Sequence, residues 1–166
     1  MRRLVLLALG IALLAGSLPA AAQPATKKKV AMTAYESGMQ YAAQGLWDQA
    51  IQKFQDSIND DRKFADAWMN MGVCYLKKGS SYATTAREKL EMAASLEKGR
   101  VNPLVYYNLT IAYTMAGTLD KAFQTLDRCL GLGFRDFDAL RSDPDLNELR
   151  RTPEFRKILE RHRVFL

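Results

Sequence analysis

Few side chains in this sequence of 166 residues could support catalysis. A catalytic site needs a nucleophile beside a base, a pair of carboxylates in a cleft, or metal ligands at workable spacing. The single histidine, His162, stands between Arg161 and Arg163 near the end of the sequence, where a solvated helix residue is expected. One histidine cannot form the H-x-x-x-H pair of a metal site, so neither a histidine base nor a metal centre is predicted.

The cysteines and the acidic pairs have structural explanations. Cys74 and Cys129 do not form a C-x-x-C motif, and both fall at helix positions that favour small side chains. We expect two buried, unpaired thiols, with a disulfide as the alternative in an oxidising compartment. Turn and capping roles account for Asp60–Asp61 and for Asp143 with Asp145. The sequence therefore predicts a protein that is not an enzyme and holds no cofactor.

The first residues have the pattern of a secretory signal peptide. Two arginines precede an uncharged run from Leu4 to Leu18, Pro19 follows, and Ala20 to Ala22 supply the small residues of a cleavage site. We predict that residues 1–22 are removed and that the mature protein is periplasmic or secreted. An uncleaved membrane anchor is the alternative, although the apolar run is short for a span of about 20 residues.

The charge of the chain is modestly basic. The formal net charge is +6, and Arg2 and Arg3 contribute two of the positive charges. This balance does not indicate nucleic acid as a partner, and an exported protein would meet envelope proteins or an anionic membrane surface instead. Basic side chains are frequent between residues 135 and 163, but acidic ones alternate with them. A mixed, solvated surface is therefore predicted there.

Three segments of the chain share one pattern of side chains. Trp68, Met71 and Tyr75 are spaced by three and four residues, which makes one apolar stripe along a helix. A glycine then ends that helix, and a small residue and a large apolar one follow in a second helix. The matching positions are Tyr41, Tyr75 and Tyr113; Gly45, Gly79 and Gly117; Ala50, Ala86 and Ala122; and Phe54, Leu90 and Leu126.

This pattern resembles the tetratricopeptide repeat (TPR) family, whose signature is W-x2-L-G-x2-Y followed by Ala and a large apolar residue. Tyr41 and Tyr75 are 34 residues apart, which is the period of the family. The resemblance implies an all-α fold, a right-handed α-solenoid of three helix pairs with short C-terminal capping helices. Trp68 is expected to be buried between helices, and Thr110 departs from the small residue usual at its position.

The same alignment predicts the division of the chain. Residues 23–30 are polar and basic, and we expect a disordered leader there. The repeats are predicted at 31–64, 65–102 and 103–136, and a helical cap at 137–166. Ser142 or Asp143 before Pro144, and Thr152 before Pro153, are helix-start signals for two short helices in that cap.

The resemblance also implies a binding groove, because in this family the first helices of the repeats line the concave face. Carried over by position, the groove residues are Met32, Tyr35, Met39, Met69, Asn70, Val73, Leu76, Leu104, Tyr107, Asn108 and Ile111. The alternative is that some of these residues pack against the leader or a second copy of the chain. The two asparagines could bind a ligand's backbone or satisfy neighbouring helices.

The predicted function follows from the groove. Its apolar and aromatic side chains favour a partner helix or extended apolar segment. The family's clamp for C-terminal carboxylates is missing, since Tyr35, Leu104 and Asn108 stand where Lys or Arg would be. We predict a non-catalytic scaffold or assembly factor of the bacterial cell envelope that binds a protein or peptide. A self-assembling structural module and an accessory subunit of an envelope enzyme are the alternatives.

Overall fold

The structure is a computed structural model that describes residues 24–97, 99 and 101–165, and these form helices without any β-strand. The predicted signal peptide, residues 1–22, lies outside the described residues. No helix in the described part of the chain is both long and apolar enough to cross a bilayer. The helices are α1 (Pro24–Ala43), α2 (Trp47–Asp60), α3 (Ala65–Lys77), α4 (Ala83–Leu96), α5 (Pro103–Met115), α6 (Leu119–Gly131), α7 (Phe137–Ser142), α8 (Asn147–Arg150) and α9 (Pro153–Arg161), with 3₁₀ turns at Ser80–Tyr82 and Pro144–Leu146.

The first six helices form three antiparallel pairs that stack in chain order. Within each pair the two helices pack together, and α2 packs on α3 as α4 packs on α5. The turns inside the pairs depend on glycine: Gly45 and Gly117 have φ angles of 72° and 69°, a left-handed conformation that costs other residues energy. The predicted all-α solenoid with capping helices is confirmed.

The two helices of a pair cross most closely at the eighth position of each repeat. A Cβ atom added to Gly72 would lie 2.7 Å from Leu90 Cγ and 3.2 Å from the carbonyl oxygen of Ala86. The third repeat has Thr110 there instead. Its hydroxyl donates to the carbonyl of Tyr106 at 2.8 Å and lies 3.0 Å from Thr125 Oγ1, so the buried hydroxyl is satisfied.

The structure corrects the prediction of a disordered leader. Residues 24–30 form the first turns of α1, and the side chains of residues 25–30 are exposed. Pro24 is the first described residue of this helix. Alanine and lysine, which dominate the next residues, have high helix propensity and extend the helix that the first repeat already forms.

The core consists of two adjoining clusters of buried side chains. The first includes Phe54 and Met71, and the second runs from Leu76 of α3 into the capping helices. Trp68 packs against both but is only half-buried, which corrects the expectation of a fully buried indole. Its Nε1 donates to the carbonyl of Arg62 at 3.0 Å, so one edge of the ring lies at the surface.

The cap closes the second cluster. Leu146 and Leu149 are fully buried, and Phe155 and Ile158 are 3% and 2% exposed. The predicted helix starts are confirmed, because Asp143 Oδ1 accepts from the N–H of Asp145 at 2.9 Å and Thr152 Oγ1 accepts from the N–H of Phe155 at 3.2 Å. These caps fix where each short helix begins and therefore which residues face the core.

Candidate functional site: a groove open over two repeats

The first helices of the three repeats lie side by side and present one common face. Asn70 of α3 donates through Nδ2 to the hydroxyl of Tyr35 on α1 at 3.0 Å. Met69 of α3 lies 3.9 Å, measured at its sulfur, from Nδ2 of Asn102, which caps the start of α5. The first contact joins predicted groove residues of two successive repeats, and the second places Met69 beside the start of α5.

The face is open along α1, α3 and the first turn of α5. Met32 and Met39 are each 42% exposed, and Leu104 is 46% exposed. Tyr35, Met69 and Val73 are half-buried between them. We call this surface the open groove and define it by Met32, Tyr35, Met39, Met69, Asn70, Val73, Leu104 and Asn108.

The face is closed over the rest of the third repeat. Tyr107 is only 8% exposed, and its ring stacks on Phe134 with a centroid distance of 4.7 Å and an interplanar angle of 10°. Its hydroxyl donates to Asp143 Oδ2 at 2.7 Å. Burial raises the pKa of Tyr107 well above its ordinary value, and the bond to Asp143 adds to the effect. The tyrosine therefore joins the solenoid to its cap.

Three predicted groove residues are consequently corrected. Leu76, Tyr107 and Ile111 are 6%, 8% and 5% exposed and belong to the same buried cluster as Leu140 and Leu146 of the cap. For Tyr107 and Ile111 the physical reason is that α5 packs against the 3₁₀ turn Pro144–Leu146, which occupies this part of the face, and Leu76 of α3 is buried in the same cluster. These residues hold the cap and do not line an open surface.

The two asparagines at the sixth repeat position serve the protein itself. Asn70 Nδ2 donates to the carbonyl of Asp66 at 2.9 Å as well as to Tyr35, and Asn108 Nδ2 donates to the carbonyl of Leu104 at 2.9 Å. Of the two alternatives for these asparagines, the structure shows the one in which their side-chain nitrogens bond to neighbouring groups of the protein. Burial, with the nearby charge of Asp66, raises the pKa of Tyr35, so its phenol stays neutral beside them.

The two cysteine thiols lie inside the protein, as expected. Cys74 and Cys129 are buried and unpaired. Burial raises the pKa of Cys74 to about 11 and that of Cys129 to about 12, so both remain protonated at neutral pH. A protonated, buried thiol is a poor nucleophile and a poor metal ligand.

The histidine links two helices. His162 Nε2 lies 2.9 Å from Asp127 Oδ1 of α6, and Arg161 donates to the same oxygen at 2.7 Å. Within the described residues, no group of three or more His, Cys, Asp or Glu side chains is arranged to hold a metal ion. The contacts of His162 therefore tie α9 to α6.

Comparisons with known proteins begin at the level of sequence. No protein-family model matches the chain. A chloroplastic protein from Arabidopsis thaliana is 28% identical over 91 residues, which is 51% of this chain but only 27% of that protein. The chain thus spans about a quarter of the length of this curated relative.

Solved structures match over most of the chain. The first TPR domain of Spaghetti (RPAP3) bound to the HSP90 peptide SRMEEVD has a TM-score of 0.64 at 22% identity, covering 81% of this chain and 94% of that one. The Yersinia enterocolitica chaperone SycD in complex with a peptide of the translocator YopD has a TM-score of 0.58 at 16% identity, covering 80% and 91%. The chain therefore has the tetratricopeptide-repeat fold.

Proposed function

We propose that this protein is a non-catalytic scaffold that binds an apolar segment of a partner protein in the open groove. The observation that carries the proposal is the row of exposed apolar side chains at Met32, Met39 and Leu104 on the concave face. Covering such side chains releases water from apolar surface, which is the main driving force of protein association. Methionine also adapts its shape to different partners, because its side chain is unbranched and flexible.

Two structural neighbours support peptide binding as the use of this face. The RPAP3 domain is bound to the peptide SRMEEVD, and SycD is bound to a peptide of YopD. The present groove differs from a clamp for acidic tails, because Tyr35, Leu104 and Asn108 occupy the positions where cations would be needed. Asp66 at its edge is exposed and adds negative charge. The partner segment is accordingly apolar and carries no cluster of acidic residues.

The cap limits the length of that segment. With Tyr107 stacked on Phe134 and bonded to Asp143, a partner can reach only the faces of α1 and α3 and the first turn of α5. A helix laid there would present apolar residues at spacings of three and four, which is how amphipathic helices bind apolar grooves. We propose a short helix or extended segment as the occupant.

We further propose that the protein acts in the bacterial cell envelope after export. The support is the order of basic, apolar and small residues in positions 1–22. N-terminal sequencing of the protein recovered from the periplasmic fraction should begin at Gln23. Recovery only from the cytoplasm with Met1 retained would contradict this part of the proposal.

The groove is tested by matched charge insertions. Met32→Glu combined with Met39→Glu places two charges in the open groove, whereas Met92→Glu places one on α4, at a methionine that is also 42% exposed. All three sites are at the surface, so unfolding free energies should stay within about 0.5 kcal/mol per substitution. A partner is first identified by crosslinking in envelope extract and then purified. Calorimetry should show binding at least about tenfold weaker for the groove variant, while Met92→Glu binds normally; tenfold corresponds to about 1.4 kcal/mol.

Equal binding by the groove variant and Met92→Glu would refute the proposed site. Light scattering on the same variants addresses the self-assembling alternative. If the wild-type chain is a dimer that only the groove variant dissociates, the occupant of the groove is a second copy of the chain, and the scaffold proposal is replaced by that alternative.

A further inference from the structure

The cap contains a pocket of about 480 Å³ that is separate from the open groove. Its apolar walls come from Phe155, Leu159, Val164 and Phe165. The first three are buried, but Phe165 is 84% exposed at the rim. Pockets of roughly 300–1,000 Å³ are typical of small-molecule sites in proteins. The size and the walls fit an apolar chain of moderate length.

Three arginines, Arg141, Arg150 and Arg156, line the same pocket with a single acidic residue, Glu160. The sequence alone does not reveal this grouping, because the alternating charges of the C-terminal region predict a mixed surface. Folding of α7, α8 and α9 around one space brings the three arginines together. The lining therefore carries an excess of positive charge beside apolar walls.

The charge of Arg150 is not balanced by its own hydrogen bonds. Its guanidinium donates to the carbonyl oxygens of Leu140 at 3.1 Å and Asp143 at 2.6 Å, and to the side-chain oxygen of Asn147. All three acceptors are neutral groups, so they hold the side chain in place without cancelling its charge.

The other two arginines are available to a ligand to different degrees. Arg141 donates to Asp138 at 2.8 Å, but the Asp138 side chain is 89% exposed, and such surface pairs contribute little. For Arg156, no hydrogen bond or ion pair is formed with another described residue, although Glu160 stands one helical turn along α9, and its side chain lies at the exposed rim of the pocket. Arg156 is thus the side chain best placed to meet an incoming anion.

We propose that the cap pocket binds a monomeric anionic amphiphile, a carboxylate with an unbranched apolar tail. The guanidinium of Arg156, with Arg150 and Arg141 nearby, receives the carboxylate, for which the planar fork of arginine is suited. The tail lies against Phe155, Leu159 and Val164, and Phe165 folds over it and loses its exposure to water. This site is independent of the groove and of the function proposed for it.

Isothermal titration calorimetry of decanoate into the full chain, below the concentration at which decanoate forms micelles, tests the proposal. We expect one saturable site. Arg156→Gln should weaken binding about tenfold, and Phe165→Ala severalfold, since both side chains lie at the surface and their loss leaves the fold intact. Arg151→Gln is the matched control, because Arg151 is an exposed arginine of the same cap that does not line the pocket. Decanol, which has the same tail without the charge, should bind at least about tenfold more weakly than decanoate.

Four results would overturn the proposal. These are the absence of a saturable site, equal affinities for Arg156→Gln and Arg151→Gln, equal affinities for decanol and decanoate, and binding to vesicles of anionic phospholipid without binding to monomeric decanoate. The last result would identify the arginines as a patch that docks on membrane surfaces. Circular dichroism of each variant confirms that the fold is retained.

Discussion

The first two repeats and the third share one architecture but differ in how far the groove face of their first helices is covered. In the first two, glycine stands at the helix crossing, at Gly38 and Gly72. On the groove face, Met32 and Met39 of the first repeat are exposed and Met69 of the second is half-buried. In the third, Thr110 takes the glycine position, and Tyr107 on the concave face is covered by the cap. The same repeat position can therefore line a binding surface or belong to the core, depending on whether the next segment of the chain packs over it.

The cap has two effects on the third repeat. It buries the apolar end of the last repeat, which a stack of helix pairs would otherwise expose. It also shortens the groove, because Asp143 accepts a hydrogen bond from the hydroxyl of Tyr107 and Phe134 covers its ring. The contacts that bury the end of the solenoid thus also cover the part of the groove that lies there.

The largest expected effect is a difference in the free energy of unfolding between a substitution in the cap core and one in the open groove. Leu149→Ala removes a fully buried side chain of the cap, and we expect a loss of about 2–5 kcal/mol in the free energy of unfolding. Leu104→Ala, at a leucine that is 46% exposed in the open groove, should cost well under that amount. Urea denaturation followed by circular dichroism measures both. Similar losses for the two variants would remove the distinction between cap core and open groove.

The next effect concerns the glycine crossing of the second repeat. Gly72→Ala places a Cβ 2.7 Å from Leu90 Cγ, and the resulting strain should exceed the gain in helix propensity, with a net loss of about 1–3 kcal/mol. Gly131→Ala is the control, since its Cβ would meet only His162 Cε1 at an ordinary 3.6 Å. Thermal unfolding should show a lower midpoint for Gly72→Ala only. A neutral Gly72→Ala would mean that the helices of the second repeat cross less closely than described.

A smaller effect tests the attachment of the cap to the third repeat. Tyr107→Phe keeps the ring on Phe134 but removes the donor to Asp143, and we expect a loss of about 1–2 kcal/mol. Tyr82→Phe, at a tyrosine that is 37% exposed, should have almost no effect. Chemical denaturation of both variants gives the comparison. No loss in Tyr107→Phe would show that the hydroxyl contributes nothing to holding the cap.

The smallest effect depends on pH. Burial opposes the ionisation of Asp127, but hydrogen bonds from His162 and Arg161 outweigh it, so the pKa of Asp127 in the folded protein lies below its ordinary value. A carboxyl whose pKa is lowered by folding stabilises the protein above its unfolded pKa, and this contribution is lost as the pH falls through the folded value. Because the Asp127 side chain is 41% exposed, solvent screens the contribution.

We therefore expect Asp127→Asn to lower the free energy of unfolding by less than about 1 kcal/mol at neutral pH. The difference from wild type should shrink as the pH falls from neutral through the lowered folded pKa of Asp127, where the native carboxyl becomes protonated as well. Unfolding curves measured across this range test the sign. A difference that grows as the pH falls would contradict the assignment of Asp127 as an ionised acceptor.

The parts of the fold that depend on local signals could be predicted from the sequence. The glycine turns at Gly45 and Gly117 need a residue that adopts a positive φ, and the helix starts at Asp143 and Thr152 need a short side chain that accepts from a free N–H group. The helical leader could not be predicted as easily, because polar composition favours disorder while lysine and alanine favour helix. Here continuity with the first repeat decides in favour of helix.

The closure of the third repeat depends on a contact between distant segments and was missed. Tyr107 and Asp143 are 36 residues apart, and each has a local explanation, as a groove tyrosine and as a helix cap. Only the path of the chain after α6 brings them together. The grouping of Arg141, Arg150 and Arg156 around one pocket is hidden for the same reason.

Hydroxyl-radical footprinting of the folded protein tests the central claim most directly, because it compares side chains of one type within one molecule. Met32 and Met39 should be modified much faster than Met71, which is 1% exposed, and Tyr82 much faster than Tyr107. This result would establish that the face formed by the first helices is open at α1 and closed where the cap covers Tyr107 of α5. Modification of Tyr107 at the rate of Tyr82, with the fold intact by circular dichroism, would contradict it.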